Sequence, residues 1–98
     1  MSEPTVTIAD APERDRYEIT VDGTLAGFAT YSRRPGTIVY EHTEIEPAYE
    51  GHGLAGRLVR FALDDSQSRG EHVVASCPYV REYIRKHPEY AELTHRRA

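Results

Sequence analysis

At Pro47 the spacing of the apolar residues changes. Before it, apolar and polar side chains alternate with the period of two that a half-buried strand requires. After it, Leu54, Leu58 and Phe61 or Ala62, with Ala55 and Val59 beside them, share one face at helical spacing. A chain with this switch places a group of strands first and a helix-containing unit second.

The strands can be read one by one. "TVTIAD" alternates Val6 and Ile8 against polar neighbours, and "RYEITVDG" alternates Tyr17, Ile19 and Val21 before ending in Asp22-Gly23, a hairpin dipeptide. "TLAGFATYS" is its partner, "RRPG" makes the next turn, and "TIVYEHTEI" is rich in β-branched and aromatic residues. These give four antiparallel strands in a meander. The helix runs from about Gly53 to Arg69, with Gly70 where a C-terminal cap belongs. "HVVASC" reads as a short strand buried on both faces, parallel to the fourth strand because a helix joins the two. In "PYVREYIRKHP", Pro78 opens a second helix, Val80, Tyr83, Ile84 and His87 share a face, and Pro88 ends it. "EYAELTHRRA" adds a turn or a loose tail. The order β-β-β-β-α-β-α predicts an α/β (α+β) fold. At 98 residues the chain reads as one domain, 1–98, with 1–4 and about 91–98 as candidate loose ends.

Charge and composition narrow the function. A formal charge of −4 argues against nucleic acid and against an anionic membrane surface, and suits an amine substrate. No apolar run approaches the roughly 20 residues of a membrane span. "MSEPTVTIAD" has neither the basic nor the apolar region of a signal peptide. One cysteine, Cys77, excludes an internal disulfide and fits a cytoplasmic protein. His52, His72, His87 and His95 lack metal-ligand spacing, so no metal is expected.

"GHGLAG", Gly51 to Gly56, matches the dinucleotide expression G-x-G-x-x-G. A glycine-rich turn entering a helix offers free backbone N–H groups at the positive end of the helix dipole, which is an anion site. The dinucleotide reading fails on context. Four antiparallel strands precede the motif, Pro47 separates it from the fourth, and the next strand ends in "ASC" with no carboxylate for a ribose.

Two further side chains suggest chemistry. Cys77 precedes Pro78 at the start of the second helix, where the dipole should draw its pKa below the free value of ~8.5; a small buried residue at a strand end is the alternative. His42, two residues from both Tyr40 and Glu44, should face the same way as they do, about 6.6 Å from each. It would serve as general base or simply pack on the strand. Tyr79 and Tyr83 line a site or belong to the core.

From about Thr37 to Tyr90 the chain resembles the smallest single-domain members of the GNAT acetyltransferase superfamily. Those members carry "Y-x-H-T-E", "G-x-G-L/I-A/G" and "C-P-Y/F-V … H-P-E-Y" in this order. The matching pieces here are "YEHTEIEPAYEGHGLAGRL" and "CPYVREYIRKHPEY". The resemblance implies acetyl-CoA as co-substrate, its pyrophosphate on the backbone N–H groups of about His52 to Gly56. Gly51, Gly53, Leu54, Ala55 and Arg57 complete that loop and first turn. The pantetheine arm would lie beside Ile45, where the fourth and fifth strands splay, with Tyr79 near the thioester or the adenine. The resemblance also implies His42 and Cys77 as the catalytic pair, Cys77 acting as acid or nucleophile. One departure is Glu50, which stands where the usual loop has Gln or Arg.

The expected reaction is acetyl transfer to an amine, on a small molecule or a protein lysine, by a monomer or weak dimer. A different class, an acyl-CoA-binding sensor with little catalysis, is motivated by the Asp22-Gly23 hairpin. That turn leaves no room for the helices that wall the acceptor site in larger relatives.

Overall fold

The computed structural model describes residues 3–95. Residues 1, 2 and 96–98, part of the ends read as loose, lie outside them. Each turn of the meander forms where the sequence permits positive φ: Asp15 has φ of 51°, Asp22 and Gly23 have 50° and 82°, and Gly36 has 77°. They connect β1 (Val6–Ala11), β2 (Arg16–Val21), β3 (Thr24–Arg34) and β4 (Thr37–Ile45). After α1 (Leu54–Ser68) comes β5 (His72–Ala75), then α2 (Pro78–Lys86). The sheet order is β1-β2-β3-β4-β5, antiparallel except for the parallel pair β4–β5. The fold class expected from the sequence is the one observed.

Both helices cover one face of the sheet. α1 buries Leu54, Leu58, Val59, Ala62 and Leu63, and α2 buries Val80 and Ile84, in one core with Tyr17, Ile19, Ile38, Tyr40 and Val73. Each of the buried leucine, isoleucine and valine side chains contributes about 1.5–3 kcal/mol through lost water contact. Pro88–Thr94 forms a 3-10 turn whose Tyr90 is buried and donates to Asp64 Oδ1 at 2.6 Å. His72 Nε2 donates to the Thr94 carbonyl at 3.1 Å. A turn is therefore what the last stretch adds, as far as Thr94. Among the described residues no helix is long and apolar enough to cross a membrane.

A polar network bridges the sheet to the C-terminal half of α1. Arg33 on β3 donates to Glu71 at 2.6 Å, to the Tyr17 hydroxyl at 2.9 Å and to Asp10 at 3.2 Å. Tyr17 donates to Asp65 at 2.6 Å, and Arg69 pairs with Asp65 at 2.8 Å. Tyr40 donates to the Ala62 carbonyl at 2.9 Å, beside Ser66. No buried side-chain polar atom among the described residues lacks a partner.

This network sets the pH range of stability. Burial alone would raise the Asp65 pKa, but hydrogen bonds from Tyr17 and Arg69 outweigh it and leave the carboxylate below its usual value. Its contribution is complete above the unfolded pKa of about 3.9 and is lost as pH falls below it. Tyr17, Tyr31 and Tyr40 are raised, chiefly by burial. Their contribution is complete below the unfolded pKa of about 10 and is lost as pH rises through the folded values. Urea midpoints measured against pH should form a plateau between about 4 and 10, with a fall on each side. A midpoint that holds level well above pH 10 would contradict the tyrosine part.

Candidate active site

The site begins where β4 and β5 part. Their pairing runs from Thr37↔His72 to Tyr40↔Ala75, and the Cys77 amide donates to the Tyr40 carbonyl at 2.8 Å. β4 continues to Ile45, paired only with β3. Its outer edge beyond Tyr40 therefore faces a gap. A Cβ on Gly27 would collide with the Glu44 carbonyl and the Ile45 side chain, so β3 can hold the end of β4 this closely only with glycine there.

A bulge at the parting point corrects one expectation. Tyr31 opposes Tyr40, but Thr30 opposes His42, leaving Glu41 unmatched. The extra residue shifts the alternation by one. Tyr40 points into the core, 1% exposed, while His42 and Glu44 turn to the other face, 61% and 53% exposed in their side chains. Tyr40, His42 and Glu44 thus do not face the same way. His42 Nε2 lies 3.2 Å from Glu44 Oε1, a direct contact. A carboxylate only accepts, so Nε2 carries a hydrogen, and in the neutral ring Nδ1 then holds the free lone pair.

The same shift turns Thr43 inward. Its Oγ1 lies 3.5 Å from Cys77 Sγ, and Cys77 is 2% exposed at the N-cap of α2. The structure does not bring His42 and Cys77 together: they lie on opposite faces of β4.

Across the gap stands the loop into α1. Gly51 and Gly53 have φ of 84° and 71°, a conformation that side chains disfavour, and no side chain caps the helix. Among the described residues, no hydrogen bond is found to the amides of Leu54, Ala55 and Gly56. The first turn carries no acidic residue, so its dipole is unopposed there.

A cleft of about 320 Å³ joins these parts, lined by Thr43, Ile45, Tyr49, Glu50, Gly51, Gly53, Leu54, Ala55, Gly56 and Tyr79. Ile45, Tyr79 and most of the glycine-loop residues named from the sequence meet in it. His52 and Arg57 do not; they line a separate hollow with Val21 and Ala48. Cys77 lies behind Thr43. Tyr79 stands opposite Gly56, and partial burial raises its pKa, so its phenol stays protonated at neutral pH. Glu50 is exposed and makes no ion pair among the described residues. Thr43 and Tyr49 were missed. Thr43 sits inside the quoted "YEHTE" stretch, but only the bulge reveals its direction. Among the described residues no cluster of His, Cys, Asp and Glu is arranged to hold a metal.

A family model described as GCN5-related N-acetyl-transferase matches residues 16–93. Among curated proteins the chain is similar to Protein NATD1 of Gallus gallus, 33% identical over 55 residues, 56% of this chain and 50% of that protein. It is also similar to Protein NATD1 of Homo sapiens, 33% identical over 48 residues, 49% of this chain and 42% of that protein. The chain spans about half the length of these relatives. In shape it is similar to a ribosomal-protein-alanine N-acetyltransferase from Brucella melitensis biovar Abortus 2308, with TM-score 0.54 and 23% identity over 85% of this chain and 62% of that one. At that identity the likeness is one of fold. With the family model spanning β2 to β5, both helices and the cleft, the chain belongs to the GCN5-related N-acetyltransferase family.

Proposed function

We propose that the chain transfers an acetyl group from acetyl-CoA to an amine. The observation that carries this reading is the cleft in which an uncapped, glycine-lined helix start faces an unpaired length of β4. Donors at the helix start suit a diphosphate, and an open strand edge suits the amide-bearing pantetheine arm, which can pair like an extra strand. The residues present fit the co-substrate: Gly51 and Gly53 have open space where a Cβ would stand.

The amine attacks from the His42 face. Its nitrogen bonds to the acetyl carbonyl carbon, and its proton passes to His42 Nδ1, directly or through water. Glu44 holds the ring in the tautomer that can accept it. An amide on the open β4 edge stabilises the developing oxyanion. The carbon–sulfur bond then breaks, and the thiolate takes a proton from the Tyr79 phenol or from water. Holding amine and thioester together supplies much of the acceleration. Cys77 acts here as a structural neighbour of Thr43, a reading supported by Thr43, not the thiol, lining the cleft.

Titration with acetyl-CoA, followed by amide NMR and by intact mass without acceptor, tests this. The amides of Gly51 to Gly56, Ile45 and Tyr79 should shift, and no stable acetylated protein should accumulate. An unmoved loop would end the acetyl-CoA reading. An acetyl adduct abolished by Cys77→Ala would restore that cysteine as nucleophile. Shifts without acetylation of any amine would favour a sensor.

A further inference from the structure

We propose that the acceptor is a lysine side chain in a basic segment of another protein, docked on the sheet face that carries His42. The inference rests on the acetyltransferase reading and names the substrate class of that site.

Among the described residues no helix covers that face. β1 and β2 are joined by a single 3-10 turn, Pro12–Arg14, and both helices pack on the other side. Cross-strand partners place Arg16, Thr30 and His42 in one outward row, with Glu18, Phe28 and Glu44 in the next. The rows are half-buried to exposed. His42, Glu44 and Phe28 line none of the hollows at the cleft, at the C-terminal end of α1, along β5 or beside β1. A free small amine gains affinity by being largely enclosed, and none of those four hollows encloses His42. A protein partner brings its own wall and spreads its contacts over a flat area.

The charge of the face selects the kind of protein. Residues 37–56 contain Glu41, Glu44, Glu46 and Glu50 and no lysine or arginine. All four carboxylates are exposed, and among the described residues none pairs with a lysine or arginine. Arg16, in the His42 row, and Arg14 beside it are balanced by Glu18 and Glu13, so the unpaired charge of this side is the group of carboxylates at the end of β4, with Glu50 in the adjoining cleft, and it attracts a segment with several positive charges.

The test uses the whole chain at saturating acetyl-CoA with three acceptors: a peptide whose central lysine is flanked by arginines, the same peptide flanked by glutamates, and spermidine. The basic peptide should exceed both others in kcat/KM by roughly tenfold or more, a lead that shrinks as salt rises. Glu46→Lys should raise KM for the basic peptide with kcat and thermal stability unchanged. Spermidine matching the basic peptide, or equal turnover of the two peptides, overturns the proposal while leaving acetyl transfer intact. If acetyl-CoA moves the loop amides but no acceptor is turned over, the docking proposal falls and the sensor reading gains; if the loop does not move, acetyl-CoA binding and the docking proposal both fall.

Discussion

Replacing Arg33 by methionine should remove about 2–4 kcal/mol of stability, a large part of the 5–15 kcal/mol that holds a domain folded. The Arg33 side chain is 21% exposed, and those of its partners Glu71 and Asp10 are 6% and 13% exposed. Methionine fills much of the same space, so the loss is mainly electrostatic: a buried carboxylate is left without its cation. Removing one member of a buried pair costs about 3–5 kcal/mol, and the exposure of Arg33 trims that figure. Arg33→Lys should rescue little, because Glu71 takes two bonds from one planar fork, at 2.6 and 3.3 Å. Arg34, one residue on and exposed, is the control: Arg34→Ala should stay within about 0.5 kcal/mol. Urea denaturation decides it. A loss below 1 kcal/mol for Arg33→Met would show that the network does not hold the sheet to α1. Because Glu71 and Asp65 sit at the far end of α1 from Gly53, the acetyl-CoA affinity of the folded fraction should not change.

That network was not legible in the sequence, whereas the elements it ties together were. Strand alternation and helical spacing are local, since each follows from which face a residue presents, and the four strands, α1 and α2 emerged within a few residues of their bounds. Gly51 and Gly53 were legible for the same reason: a positive φ before a helix needs glycine whatever the rest of the chain does. Arg33 read only as part of a turn, because a strand arginine looks solvent-facing until its partners, 23 and 38 residues away, are folded against it. The bulge at Glu41 is the sharper case. "IVYEHTEI" keeps its apparent period of two, and no glycine or proline marks the extra residue. One unmatched residue nonetheless separates His42 from Tyr40 and from Cys77, and brings Thr43 to the cleft. A residue's type can be read from sequence; which side of a bulged strand it occupies depends on register against β3.

From that register follows the largest expected effect on activity: His42→Ala should lower kcat/KM about a hundredfold near neutral pH. General-base catalysis by a positioned side chain contributes about 10²–10⁴, and the lower figure applies because a ring 61% exposed has water as a substitute base. The same exposure keeps the variant folded, with stability within about 0.5 kcal/mol of the parent. Acetyl-CoA affinity should also hold, since the cleft is walled by Thr43 and Ile45 on the opposite face of β4. Glu44→Gln should cost less, about tenfold, because it loosens the ring without removing the lone pair that accepts the proton. The pH profile separates catalysis from acceptor positioning. A lysine amine near pKa 10.4 is almost wholly protonated at pH 7, so a base has a proton to remove; as pH approaches that value the amine arrives free. The ratio of parent to His42→Ala rates should therefore narrow steadily between about pH 7 and 10. A ratio independent of pH would make His42 a docking residue, and a loss under threefold at neutral pH would remove it from the reaction.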